Sequence, residues 1–203
     1  MRLRFLLMAA LAAGGCKDKN EDDGPSVNFS DDFSAGFPGS GWTIASAAGS
    51  GSIDMAAGNP APSLVMQSVP PGSYTIRSNA TYFTNSSIVS VAVRHDGGPG
   101  FFYIEVAKPG VGTFAAALIG ETGVSFSVPG ANIGVASDTA WHTFVFRSDY
   151  IDTAQWLMDG VVRQSTSSFP GPLGNHSGVT LDLRATGGCT AHVDNVSIIV
   201  PYP

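Results

Sequence analysis

The sequence is short of the residues that most chemistries depend on. It has only two cysteines, Cys16 and Cys189, too few for a disulfide scaffold or a four-thiolate zinc site. Charged side chains make up 13% of its 203 residues, and 10 basic ones face 16 acidic ones for a net charge of -6. A phosphate-neutralising surface needs clustered Lys and Arg, so nucleic acid is excluded as a partner. No apolar run reaches the roughly 20 residues of a membrane-spanning helix. What is abundant is glycine (25) and proline (13), within a chain that is 43% hydrophobic. That share fills a core and excludes wholesale disorder. The length supports one domain with a short tail.

Residues 1–16 carry a basic start at Arg2 and Arg4, an apolar stretch from Phe5 to Ala13, and Gly14-Gly15-Cys16. This is the anatomy of a secretory signal peptide, with residues 1–15 as the expected leader. The lone cysteine after two small residues resembles the bacterial lipoprotein signal, although Ala13 stands where Leu is usual. The resemblance implies acylation of Cys16; an ordinary cleaved leader is the alternative. Acyl chains burying CH₂ groups at about 0.8 kcal/mol each would hold the protein on a membrane by that anchor alone. The polar stretch Lys17-Asp18-Lys19-Asn20-Glu21-Asp22-Asp23 cannot pack, so residues 16–28 read as a disordered tether. Lys17 after the cysteine resembles an outer-membrane sorting signal. The expected address is therefore the bacterial cell envelope, with secretion as the alternative.

Beyond the tether the chain alternates with period two. Val89, Val91 and Val93 share one parity, as do Phe102, Ile104 and Val106, then Phe144 and Phe146, then Leu181 and Leu183. Gly, Pro and Asn clusters such as Asp96-Gly97-Gly98-Pro99-Gly100 separate the runs, which predicts an antiparallel sandwich of many short strands. Asp159-Gly160 between two such runs suits a two-residue hairpin turn with both residues at positive φ. In the last run Ala191 and Val193 share one parity, while Val196, Ile198 and Val200 share the other. A regular strand cannot switch faces, so a β-bulge is expected at Asp194-Asn195.

Several of these segments together resemble a known family. They are Ser30-Asp31-Asp32-Phe33 with Gly41-Trp42, Trp141-His142-Thr143-Phe144, Trp156-Leu157-Met158-Asp159-Gly160, Leu181-Asp182-Leu183-Arg184 and Val193-Asp194-Asn195-Val196. Their order is similar to the concanavalin A-like lectin/glucanase superfamily in its laminin-G-like form. The resemblance implies an all-β, antiparallel two-sheet jelly-roll β-sandwich over residues 29–203. It leaves function open, because lectins, hydrolases and adhesion modules share that fold.

The residues argue against an enzyme. Family glucanases carry a carboxylate cluster on one strand, and two carboxylates must flank the scissile bond. Here the domain has two glutamates, Glu105 and Glu121, neither with an acidic neighbour at even spacing. A distant pairing such as Glu105 with Asp182 stays open. No Gly-x-Ser-x-Gly elbow and no phosphate-cradling glycine motif occurs. His95, His142, His176 and His192 show no metal-ligand spacing, and Cys189 reads as a buried inert thiol.

Two kinds of site remain. The family places its first and last strands side by side, which would bring Asp31 and Asp32 to Asp194 and Asn195, a set of oxygens suited to a structural Ca²⁺. The same residue types also cap bulges and turns by bonding local N–H groups. A glycan site needs an aromatic ring against the sugar face and fixed polar groups for the hydroxyls. Tyr103 and Tyr150, with Arg94 and Arg184, are the candidates; Tyr74, Trp156 and Asp152 are secondary ones. Trp42 and Trp141 are placed in the core by the resemblance, and Trp156 by sharing parity with Ala154 and Met158. The expectation is a non-enzymatic envelope module that binds a glycan or another surface component. The alternatives are a structural or adhesion domain without ligand and a divergent glycoside hydrolase. Oligomeric state is not legible.

Overall fold

A computed structural model describes residues 26–79, 87–108, 112–128, 131–136, 138–148, 153–167 and 180–200. The leader, Cys16, most of the tether, Tyr150, Asp152 and His176 lie outside the described residues. Among the described residues there are fifteen strands and no helix. In chain order they begin with β1 (Ser26–Asp31), β2 (Trp42–Ala47), β3 (Gly49–Asp54), β4 (Ser63–Ser68), β5 (Ser73–Ser78), β6 (Ile88–Gly97), β7 (Phe102–Lys108) and β8 (Gly112–Ile119). They continue with β9 (Val124–Val128), β10 (Ala131–Val135), β11 (His142–Ser148), β12 (Ala154–Met158), β13 (Val161–Thr166), β14 (Thr180–Thr186) and β15 (Thr190–Val200).

Two antiparallel sheets stack face to face. The first runs β13-β12-β11-β6-β15-β4-β3 with β1 also paired to β15; the second runs β10-β9-β8-β7-β14-β5-β2. The opening and closing strands thus lie side by side, as the jelly-roll reading requires. Pairing begins at Ser26 with Val200, so the end of the expected tether is already strand. The alternating apolar runs face inward from both layers: Val91, Val93, Phe144, Phe146 and Trp156 from one, and Ile104, Phe126, Leu181 and Leu183 from the other, all buried. Phe126 meets Phe144 and Trp156 across the gap at ring separations of 6.2 and 5.9 Å. Such aromatic contacts add about 0.5–1.5 kcal/mol to the burial of each ring.

The local expectations hold. Asp159 and Gly160 have φ of 52° and 76° and close the β12–β13 hairpin. The β15–β6 register slips between Asp194 and Ser197, and Asn195 takes φ 48° there. This one-residue insertion lets Val193 and Val196 both face the core. Cys189 is fully buried, and burial raises its thiol to about 12.

Trp141 departs from expectation. It stands immediately before β11 and is only partly buried, on the outer side of the first sheet. The reason is parity: His142, Phe144 and Phe146 take the inward positions of that run, so Trp141 and Thr143 take the outward ones.

Candidate functional site

The outer side of the second sheet collects most of the outward-facing polar chemistry read from the sequence. Outward positions on β7 are Tyr103 and Glu105, because Phe102, Ile104 and Val106 fill the core. On β14 they are Asp182 and Arg184, between Leu181, Leu183 and Ala185. The register sets these residues directly opposite one another. Asp182 pairs with Glu105 on one side and with Arg77 of β5 on the other, while Arg184 pairs with Tyr103.

The side chains in these rows engage each other. The Arg184 guanidinium lies 4.2 Å from the centre of the Tyr103 ring, and its Nη2 donates to Glu105 Oε1 at 2.8 Å. Arg77 grips Asp182 with both ends of its fork, Nε to Oδ1 at 2.8 Å and Nη2 to Oδ2 at 2.6 Å. Bidentate guanidinium–carboxylate pairs fix direction as well as energy. Arg77 remains half-exposed, while Asp182 is buried.

Phe101 completes the face. It precedes β7, has Tyr103's parity, and is 44% exposed. Its ring meets Tyr103 edge-on at 6.4 Å and lies on Gly120, where a Cβ would come within 2.9 Å of it. Aromatic apolar surface, two forked cations and two carboxylates therefore share one sheet face.

The pairing of Glu105 with Asp182, left open by the sequence, is a cross-strand neighbour pair. Each carboxylate is held by a guanidinium rather than facing its partner across an open gap. Glu121 lies elsewhere, exposed in the turn between β8 and β9.

The other candidates separate. Arg94 stands on β6 of the first sheet, on the opposite side of the sandwich from Tyr103 and Arg184. Tyr150 is outside the described residues. Tyr74 and Trp156 are core residues at 4% and 0% exposure, the former because β5 turns Tyr74 and Ile76 inward, where burial raises the Tyr74 hydroxyl's pKa. Phe101 and Arg77 were missed. Phe101 could have been found by extending β7's parity two residues back.

The chain ends meet as expected. Asp31, Asp32 and Asn195 line one cleft of about 630 Å³. The aspartates at these chain ends already accept hydrogen bonds. Asp31 accepts from Phe33 N–H at 2.7 Å and from Trp42 Nε1 at 2.8 Å; Asp194 accepts from Asn59 N–H at 2.6 Å and Asn195 N–H at 2.7 Å. Asp32 accepts from the backbone and hydroxyl of Ser34. Among the described residues no group of three or more His, Cys, Asp or Glu converges as a ligand set. Burial raises the Asp194 carboxyl above its ordinary value, and the charge of Asp32 adds to the rise.

These layers define an antiparallel two-sheet jelly-roll β-sandwich. No known family model matches the chain, and no curated protein does. Solved structures do. A carbohydrate esterase of a Shiga toxin-encoding bacteriophage superposes with TM-score 0.65 at 13% identity, over 88% of this chain and 100% of that one. The carbohydrate recognition domain of Emp47p gives 0.64 at 10% identity over 88% and 97%. The Bacillus licheniformis beta-glucanase gives 0.61 at 15% identity over 88% and 99%. At these identities the likeness is one of fold. Among the described residues no helix is long and apolar enough to cross a membrane.

Proposed function

We propose that this protein is a non-enzymatic carbohydrate-binding module that engages a glycan on the outer face of its second sheet. The observation that carries the reading is the cross-strand block of Tyr103, Arg184, Glu105, Asp182 and Arg77 beside the exposed ring of Phe101. The aromatics offer apolar area to the C–H face of a sugar, and the paired ions hold donors and acceptors in place for its hydroxyls. Structural neighbours that bind or process carbohydrate support the same direction. The clamping of both carboxylates by arginine favours binding over hydrolysis, which needs one carboxyl free to give up a proton.

Titration of the purified protein with a panel of bacterial and plant polysaccharides tests this. Tyr103→Ala and Arg184→Ala should each weaken the bound member about tenfold, the equivalent of 1.4 kcal/mol. Release of reducing sugar from any member, abolished by Glu105→Gln, would instead establish a hydrolase.

Two attachments belong to the same proposal. An acyl group on Cys16 would place the face at the cell envelope. The native protein should partition into detergent and its Cys16→Ser variant into water, whereas aqueous partitioning of both marks secretion. A structural Ca²⁺ at the chain-end cleft is favoured by the carboxylates of Asp31 and Asp32 that line it and by the negative charge of Asp32 felt at the buried Asp194. Its mark is a rise in melting temperature when millimolar Ca²⁺ is added after EDTA, and no shift removes it.

A further inference from the structure

The outer side of the first sheet holds a second polar assembly, built differently. Arg94 and Asp96 of β6 pair through Nε–Oδ1 at 2.6 Å and Nη2–Oδ2 at 3.0 Å. His192 of β15 reaches the same carboxylate, Nε2 to Oδ2 at 2.9 Å. A carboxylate only accepts, so Nε2 carries the proton and Nδ1 takes the hydroxyl hydrogen of Ser63 on β4 at 2.9 Å. Trp141 sits beside this chain: Arg94 lies 5.5 Å from its ring centre, and His192 meets it edge-on at 6.3 Å.

The relay therefore runs Ser63, His192, Asp96, Arg94, from three strands of the sheet toward solvent. Its deep end is closed: Ser63 is 0% exposed and His192 5%. Ser63 cannot act as a nucleophile from there, which sets the assembly apart from a hydrolytic triad of the same residue types. Its outer end is open, with 26% and 31% of the Arg94 and Asp96 side chains exposed. Among the described residues Arg94 bonds through its Nε and Nη2, leaving Nη1 without a partner, and the Trp141 indole N–H has none either. Buried polar links that stiffen one exposed guanidinium and its carboxylate give a preorganised donor–acceptor pair next to an indole. Asp54 and Asp96 make the surroundings acidic, and Asp96 already neutralises Arg94. That charge balance disfavours an anion and suits neutral hydroxyls.

We infer that Trp141, Arg94 and Asp96 form a second saccharide-binding site, on the opposite side of the sandwich from the Tyr103–Arg184 face, for a neutral sugar unit bearing two adjacent hydroxyls. One hydroxyl oxygen accepts from Arg94 Nη1, its neighbour donates to Asp96 Oδ1, and the C–H face of the ring rests on the indole. Ser63 and His192 are positioning residues. With both sites occupied the module bridges two glycan chains.

Trp141 reports on its own site, because the other two tryptophans, Trp42 and Trp156, are buried. The purified protein is titrated with cellohexaose, laminarihexaose, xylohexaose and mannohexaose, reading tryptophan emission and calorimetric stoichiometry. A Tyr103→Ala/Arg184→Ala variant should keep the emission change and bind one equivalent of a responding sugar. Arg94→Ala should shift the emission titration to about tenfold higher sugar, with an unchanged melting curve. Ser63→Ala should weaken the site and be partly rescued as Ser63→Thr. No emission change with any of the four sugars overturns the inference, as does an emission titration whose midpoint Arg94→Ala leaves unmoved. Loss of all binding in the Tyr103→Ala/Arg184→Ala variant removes the second site and leaves the first; binding lost only with Arg94→Ala does the reverse.

Discussion

The two outer faces carry similar parts on different foundations. On the second sheet, Arg184–Glu105 and Arg77–Asp182 are cross-strand pairs held mainly by each other, with Arg77 half in water. On the first sheet, Arg94–Asp96 is braced from beneath by His192 and the fully buried Ser63. Cross-strand ion pairs at a sheet surface contribute modestly to stability. A buried polar relay is worth more to keep intact, since breaking one link leaves the next group unsatisfied in a low-dielectric interior. Substitutions on the first face should therefore cost folding as well as binding the deeper they fall, and those on the second face chiefly binding.

The largest expected effect is His192→Ala. It strands the Ser63 hydroxyl and removes a donor from Asp96, and should cost about 2–4 kcal/mol in urea unfolding. A loss under 1 kcal/mol would show that water replaces the imidazole freely and that the brace is not real. Asp182→Asn on the other face should cost about 1–2 kcal/mol, because Arg77 can turn to solvent while Asp182 is buried. Arg184→Ala should cost about 1 kcal/mol or less, leaving Glu105 with Thr113 as a partner. If Arg184→Ala proved as damaging as His192→Ala, the contrast between the faces would fail.

Smaller still are two pH effects of opposite sign. Burial lowers the pKa of His95, overcoming the charges of Glu121 and Asp96. The unfolded chain then takes up that proton first, and stability falls as pH drops through the ordinary histidine range near 6.5. His142 behaves oppositely. Burial opposes its charge, but its hydrogen bonds to Asp159 at 2.7 Å and Asp138 at 2.9 Å prevail and raise its pKa. Its contribution is complete below the unfolded pKa and is lost as pH rises through the folded one. Melting curves across pH 5 to 8, roughly the window in which histidine titrates, should show His95→Leu removing part of the acid sensitivity and His142→Gln removing part of the loss toward alkaline pH. The rest of the acid sensitivity comes from His192, whose pKa burial also lowers.

Sequence periodicity reached the fold because inward and outward positions are a strict matter of parity in a strand. The switch between Val193 and Val196 located the bulge, and Asp159-Gly160 located the turn, each from local chemistry alone. The face on which a residue stands was legible in the same way, and Trp141 went astray where the family resemblance was preferred to its own phase with Phe144. Which sheet a residue joins was not legible. Arg94 and Arg184 both read as outward, yet they lie on opposite sides because β6 and β14 enter different layers. The adjacency of Glu105 and Asp182 likewise depends on long-range register, fixed by how the two cores interlock and not by either segment.

The central claim is that the Tyr103–Arg184 face holds a glycan. Calorimetric titration of a polysaccharide bound by the native protein into its Arg184→Ala variant tests it most directly. The expected outcome is about tenfold weaker binding with a nearly unchanged melting temperature; equal affinity in the two proteins would contradict the claim.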